Sequence, residues 1–515
     1  MLSFFPVSAR RTPALVAAAV VAVAAQAAGP ATTPIRPGPE DLLVSPGTAR
    51  AEGRRLFGTL RSALAAARPG RRILVAAGIY RENELPLVPG VALYGGFDPS
   101  FRQRDIVRYA TVIDGGGRGR LFQCAEGAIV DGFRLQGGAA RGPGGAMLCD
   151  GLSPELSNNV WQGNRTLAPA GWKPRYLHED AHDGGAVACL NGCRALIRAN
   201  LFRGNRTEIG RGGALAAVRA APRILENVFF DNEAGLKDPM RSSDGGAVSL
   251  YDRSHAEFAG NVVLSNRALN RNDAGGLFVA LWSAPRIAGN VFAGNYGDDD
   301  GGALFVGGQK HHYETPLDPL PPAEVFTVRI EGNLFAGNRN SSRNSGAFRI
   351  TMESRAVLAR NLTVENEGVY FQRSEIRALG NVFLDDVRVT ETKAGLGGYL
   401  FRGNRFGKGF SSDVPVAEEA SVHRPAGPEE PELAAVAVFL ESARRAPELG
   451  MTIVELREPF RTEWRLRVLQ CGDRWAVMES GEGRRARLWG ELGGGHSLRI
   501  LPAAPAAPGV GIGER

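Results

Sequence analysis

The fold class this sequence predicts is all-β: a right-handed parallel β-helix solenoid with an N-terminal capping helix and a small C-terminal α+β module. Two interleaved sequence phrases, and the uneven spacing of their copies, carry that expectation. Length alone, 515 residues, would suggest about three domains at roughly 150 residues each. A solenoid escapes that arithmetic because it grows by stacking coils, not by enlarging one core.

The first phrase is an Asn, a short run rich in Val, Leu and Phe, and a second Asn. It reads Asn159-Val-Trp-Gln-Gly-Asn164, Asn200-Leu-Phe-Arg-Gly-Asn205 and Asn227-Val-Phe-Phe-Asp-Asn232. It continues through Asn261 to Asn266, Asn290 to Asn295, Asn333 to Asn338 and Asn361 to Asn366, and fades at Asn381 and Asn404. Asp131-Gly-Phe-Arg-Leu looks like its opening copy. The second phrase is Gly-Gly and a short apolar run, as in Gly184-Gly-Ala-Val-Ala, Gly212-Gly-Ala-Leu-Ala, Gly245-Gly-Ala-Val-Ser and Gly301-Gly-Ala-Leu-Phe. Each unit is thus strand, Asn-bearing turn, strand, Gly-Gly turn, strand, with side chains alternating in and out at period two. Glycine supplies the tight backbone of the corner, and stacked amide side chains can hydrogen-bond up the stack.

Adjacent copies lie from 20 residues apart (Asn361 to Asn381) to 43 (Asn290 to Asn333). Stacked coils accept this, because strand lengths are fixed while one loop per coil varies. A propeller blade needs four strands in about 40 residues, so the shortest spacing excludes it. Leucine-rich repeats lack their signature here.

Ahead of the repeats, Phe57-Gly-Thr-Leu-Arg-Ser-Ala-Leu-Ala-Ala-Ala reads as an amphipathic helix ended by Arg68-Pro69-Gly70. Strands follow at Ile73 and Val91, and a helix over the open end shields strand edges. This opening, with the Asn and Gly-Gly phrases, resembles the pectate-lyase-like right-handed β-helix superfamily over about Phe57 to Phe406. The resemblance implies the fold and a polysaccharide partner, handled by a lyase, a hydrolase, an epimerase or a non-catalytic surface protein. The Gly-His-Gly and Arg-Ile-Lys motifs of the polygalacturonase-like hydrolases are missing from the sequence. No pectate-lyase-like catalytic arginine motif is recognisable either.

Both ends read differently. Arg10-Arg11, the apolar stretch Leu15 to Ala25 and the small-x-small Ala25-Gln26-Ala27 predict a signal peptide over 1–27. A disordered leader is expected over 28–53. The chain is therefore expected to be secreted, periplasmic or on the cell surface, and it has no apolar run long enough to span a bilayer. The solenoid is expected over 54–410, a linker over 411–431 and the α+β module over 432–501. That module should hold a helix from Glu432 to Arg445 and strands near 452, 464 and 475, before a disordered tail over 502–515.

The net charge of +7 suits an acidic glycan or an anionic surface. The positive charge is scattered arginine with five lysines. Without a basic stripe interleaved with aromatics, nucleic acid is not an expected partner.

Five cysteines in an exported chain leave at least one unpaired. Cys124, Cys149 and Cys189 each lie five residues after the first glycine of a turn, at Gly119, Gly144 and Gly184, so they should stack on consecutive coils. Coils about 4.8 Å apart are within disulfide reach. Cys193, across a tight turn from Cys189, is a further candidate. The pairing stays open, with a ladder of buried free thiols as the other outcome.

Residues just before the Gly-Gly pairs should share one edge: Asp183, Arg211, Asp244, Ala274 with Asp273 beside it, Asp300 and Asn344. Long loops leave the same edge, carrying His178 to His182, Lys237 with Arg241, and Lys310-His311-His312-Tyr313. The functional reading is a glycan groove. Asp273, Asp298 and Asp300 would bind Ca²⁺, and Arg211, Lys237, Arg241, Asp244 and Tyr313 would hold substrate. Lys310, His311 or His312 would remove a proton in β-elimination, or Asp273 with Asp299 or Asp300 would form a hydrolase pair. The structural reading is that Asp before Gly caps its own turn and that Asp183-Arg211-Asp244 is a charge-balanced row.

Overall fold

The computed structural model describes residues 35–47, 55–106, 108–173, 182–237, 243–308, 322–392 and 396–423, plus six strands between Ala443 and Leu501. The expected signal peptide and tail lie outside the described residues. Four all-parallel sheets of 15, 13, 7 and 12 strands run the length of a right-handed β-helix. One coil shows the plan. Arg286–Ala288 lies in the first sheet, Val291–Ala293 in the second, Tyr296–Gly297 in the third and Leu304–Gly307 in the fourth. Each strand pairs in register with the coils on either side, so that Ile287 sits between Phe258 and Ile330.

Alternation along these strands builds the core. In Leu277–Ala280, Leu277 and Val279 join the interior cluster. Phe278 and Ala280 belong to a separate cluster with Phe305 on the other face of the same sheet. The second sheet sends an aromatic inward from most coils: Phe202 stacks on Phe229 at 4.9 Å and Phe292 on Phe335 at 5.0 Å. All four are fully buried, each stabilising by about 1.5–3 kcal/mol through area removed from water.

Two asparagine ladders fix the corners of the second sheet. In the first, each Asn backbone N–H donates to the side-chain Oδ1 of the Asn one coil on, from Asn159 through Asn381 to Asn404 at 2.8–3.0 Å. The second runs the same way from Asn164 to Asn366. The Nδ2 groups donate to main-chain carbonyls, as Asn266 does to Phe229 O at 3.1 Å, so buried turn backbone is satisfied without water. The residue before each of these corners is left-handed: Gly289 has φ 60°, but so do Ala199 at 51° and Arg360 at 54°. At the Gly-Gly corner the restriction is space. A Cβ on Gly185 would lie 2.0 Å from Gly213 O and 2.7 Å from Arg206 N.

The helix α1 spans Leu60–Ala66, with Thr59 as N-cap accepting from Ser62 N at 3.2 Å. Glu82 accepts from Leu60 N and Arg61 N at 2.8 and 2.9 Å, so its charge sits where the helix dipole favours an anion. Leu60, Ala63 and Leu64 bury the inner face. Phe57 lies outside the helix, in the strand Leu56–Phe57, which pairs with Leu42–Val44. The expected leader over 28–53 therefore contains a first-sheet strand.

The other end also runs further than the repeats indicate. Phe410–Ser412, Val416–Glu419 and Val422–His423 continue three of the sheets, so the expected linker over 411–431 begins as another coil. Ser421 stands at the ladder position, accepting from Asn404 N at 3.3 Å, which hides this coil from a search for Asn. Beyond it, Ala443–Arg445, Thr452–Arg457, Glu463–Cys471 and Arg474–Gly481 form an antiparallel sheet. The strands near 452, 464 and 475 are present. The end of the expected helix over 432–445 is instead a strand, its pairing with 452–457 overriding local helix propensity; residues 432–442 lie outside the described residues.

Candidate functional site

The residues before the Gly-Gly corners do form one row, in the order Asp183, Arg211, Asp244, Asp273, Asp300, Asn344. Asp273 rather than Ala274 is in line, because Ala274 takes the place of a corner glycine with φ 58° and Gly246 N donates to its carbonyl at 2.8 Å. Within the row a carboxylate accepts the backbone N–H of the residue one coil on. Asp183 accepts from Arg211 N at 2.8 Å, Asp244 from Asp273 N at 2.7 Å and Asp273 from Asp300 N at 3.0 Å. This is a third ladder, built from acids.

Most of the row is structural. Asp183, Asp244 and Asp273 are buried. Arg211 is also buried and grips Asp183 through Nε and Nη2 at 2.7–3.2 Å, with its guanidinium 3.6 Å over the Tyr251 ring. Burial opposes its charge, but Asp183, Tyr251 and Asp244 together outweigh that and hold the Arg211 pKa above its ordinary value. Arg211 and Asp244, expected to hold substrate, are both buried: one neutralises a buried acid and the other accepts from the next coil's backbone.

The ladder breaks at Asp300. By the pattern, Asp300 should accept from Asn344 N, but that N–H turns back to Asn340 Oδ1 at 3.3 Å. Asp300 Oδ1 is left buried without a hydrogen-bond partner among the described residues, and so is Asn344 Oδ1 one coil on. The other Asp300 oxygen pairs with Arg349. Carboxylate oxygens of Asp273, Asp299 and Asp300 all lie within 4.8 Å of one another. Asp298, expected in this set, is turned aside, accepting from Tyr296 OH and Arg271 N at 3.0 Å each. Asp299 takes its place.

Beside the cluster, the outer face of the fourth sheet carries a charged and aromatic stripe. Phe305, Arg349, Tyr370 and Arg388 occupy one register position on successive coils. Arg349 lies 4.7 Å and Arg388 5.5 Å from the Tyr370 ring centre, and Arg349 Nη2 donates to Gln372 Oε1 at 2.6 Å. Sequence reasoning missed Arg349. Its signal was available: equivalent outward positions on earlier coils hold Ala188, Ala216, Ser249, Phe278 and Phe305, so Arg349 is the first charge in that column.

Of the loop candidates, Lys237 is exposed and pairs with Glu208 at 2.8 Å. Arg241, Lys310, His311, His312 and Tyr313 lie outside the described residues. His182 is buried, its carbonyl accepting from Thr166 Oγ1 at 2.7 Å. Three carboxylates are hard oxygen donors of the kind Ca²⁺ takes. Three acids close together also cost energy when all are ionised, which a cation relieves.

Among the described residues no helix is long and apolar enough to cross a membrane. No protein-family model matches the chain, and no curated protein matches it.

Proposed function

We propose that this is an exported β-helix protein that binds an acidic polysaccharide through a divalent cation held at Asp273, Asp299 and Asp300. The observation that carries the reading is the broken ladder at Asp300. Elsewhere in the row each acid spends an oxygen on the next coil's backbone, whereas here Asp300 Oδ1 is buried and unpartnered and the Asp300 carboxylate lies beside two others. A buried acceptor with nothing to accept costs about 1–3 kcal/mol, and a cation removes that cost. The solenoid fold, the net charge of +7 and the Arg349 and Arg388 pair on Tyr370 support a uronate-bearing chain lying along the fourth sheet. The cation would bridge one uronate carboxylate and the arginines would face others.

The test is binding of the full chain to polygalacturonate, alginate and chondroitin with Ca²⁺ or with chelator, with unsaturated uronate followed by its absorbance. Calcium-dependent retention that Asp300→Asn reduces at least tenfold is expected. Retention indifferent to Ca²⁺ and to Asp300→Asn would sink the proposal. A rise in absorbance would extend the function from binding to lyase chemistry, with the base sought at Lys310, His311 and His312.

A further inference from the structure

Four of the five cysteines converge in the interior near the N-terminal end of the stack, far along the coils from the aspartate cluster. Cys124 is half-buried and Cys149, Cys189 and Cys193 are buried. Cys149 and Cys189 are register partners on adjacent coils. Cys124 follows Gln123, whose strand pairs with the one holding Cys149, and the Cys124 and Cys149 sulfurs are 3.0 Å apart. Cys193 returns toward Cys189 across a turn closed by Cys193 N donating to Leu190 O at 3.1 Å.

Two uses of four thiols are chemically reasonable, a tetrahedral metal site or a pair of disulfides. A Cys₄ zinc site gathers its sulfurs to roughly 3.8 Å from one another, as 2.3 Å bonds at tetrahedral angles require. Among the described residues, however, the aspartate trio is the one group of three or more ligand atoms lying mutually within 4.8 Å. The four sulfurs lie near one another across three coils, but no three of them are mutually within 4.8 Å, which favours pairs.

Geometry then selects the pairing. Bridging Cys149 to Cys189 strands Cys124 and Cys193 two coils apart, about 9.6 Å at the spacing of parallel strands, beyond disulfide reach. Bridging Cys124 to Cys189 fails for the same reason. One arrangement uses all four thiols.

We infer that Cys124–Cys149 and Cys189–Cys193 form two disulfides in the oxidised protein, one tying adjacent coils and one closing the turn after the third cysteine. Each bridge forms by exchange with a small-molecule disulfide. A protein thiolate attacks the oxidant and expels one thiol, and the second protein thiol then displaces the other. The two cysteines lose two protons and two electrons between them, and the oxidant's S–S bond is reduced to two thiols. Cys124 has the solvent access that starts the first bridge. The thiols of Cys149 and Cys189, by hydrogen bonding to it, hold the Cys193 pKa below its ordinary value, which supplies a thiolate for the second. Cys471, the fifth cysteine, stays reduced.

The experiment is in vitro, so its outcome does not depend on export. The full chain is equilibrated in oxidised and reduced glutathione at an oxidising ratio, acid-quenched, unfolded, alkylated and mapped by non-reducing peptide mass spectrometry. Expected are peptides cross-linked Cys124–Cys149 and Cys189–Cys193, alkylation at Cys471, and an intact mass lighter by four hydrogens than the reduced chain. A Cys149–Cys189 cross-link, four alkylated interior thiols or stoichiometric bound zinc would each overturn the inference. Cys124→Ser, outside the strands, gives a folded control in which Cys149 alone becomes alkylatable while the Cys189–Cys193 cross-link persists. Loss of both cross-links in that variant would contradict independent pairing.

Discussion

Asp385 ends the second asparagine ladder, accepting from Asn366 N at 2.9 Å and from Asn366 Nδ2 at 2.6 Å. Every earlier rung, from Asn205 to Asn366, presents an amide oxygen to the same two donors or to the backbone one. Burial pushes the Asp385 pKa up to about 6, against the pull of its hydrogen bonds from Asn366. Because its folded pKa exceeds its unfolded one, the folded state binds more protons between about pH 4 and 6. Stability from this group therefore falls as pH rises through that window and stays lower above it. Two pKa units amount to about 3 kcal/mol. Asp385→Asn keeps the accepting oxygen and removes the buried charge. Its melting temperature should match wild type near pH 4 and exceed it increasingly up to pH 6, with a constant gain above. A difference independent of pH would show that Asp385 is not ionised at a cost.

The interior rungs should be far less tolerant. Asn266 accepts from Asn232 N and Nδ2 at 2.9 Å each and donates to Phe229 O and Asn295 Oδ1. Asn266→Ala leaves these four groups buried and short of a partner. At about 1–3 kcal/mol for each unsatisfied group, discounted for partners that retain other bonds, the expected loss is about 3–5 kcal/mol by urea unfolding. A loss below about 1 kcal/mol would mean that the main-chain ladder carries the corner without the amides.

The corner backbone offers the opposite change. Arg360 is exposed and left-handed, with φ 54°, where Gly260, Gly289 and Gly332 serve on other coils. A non-glycine residue held there costs about 1–2 kcal/mol. Arg360→Gly should therefore stabilise by about 1 kcal/mol after its greater unfolded-state entropy is subtracted, measured as a raised denaturation midpoint at unchanged slope. No gain would place the cost of this corner elsewhere.

The same ladder explains what could be read from the sequence. Asn and Gly-Gly corners announce the coils from Asn159 to Asn404 because each rung needs that residue type. The coil ending at His423 uses Ser421 and so was invisible, as was the strand Leu42–Val44, which has no corner phrase. The acid edge was legible as a row, but its function was not. Asp183, Asp244 and Asp273 look like Asp300 in sequence, and what separates them is whether the next coil's N–H arrives. At Asp300 that depends on Asn340, at the end of the strand Arg339–Asn340, drawing Asn344 N away, a contact that no spacing encodes. Arg349 was overlooked because one arginine in an alternating strand looks like any exposed charge until the column above and below it is known.

The pair Asp183 and Arg211 tests whether the rest of the row is purely structural. Both are buried, and Arg211→Met keeps a long side chain over Tyr251 while leaving the Asp183 charge without its cation. Removing one partner of a buried pair costs about 3–5 kcal/mol, so this variant should be strongly destabilised. Asp183→Asn added to it removes the orphaned charge yet keeps an oxygen for Arg211 N, now Met N, and should restore most of the loss. Calcium-dependent glycan retention, measured on the double variant at a temperature where it is folded, should equal that of wild type, because neither residue belongs to the Asp273, Asp299 and Asp300 set. Recovery of stability with loss of retention would instead extend the binding surface down the row to Arg211.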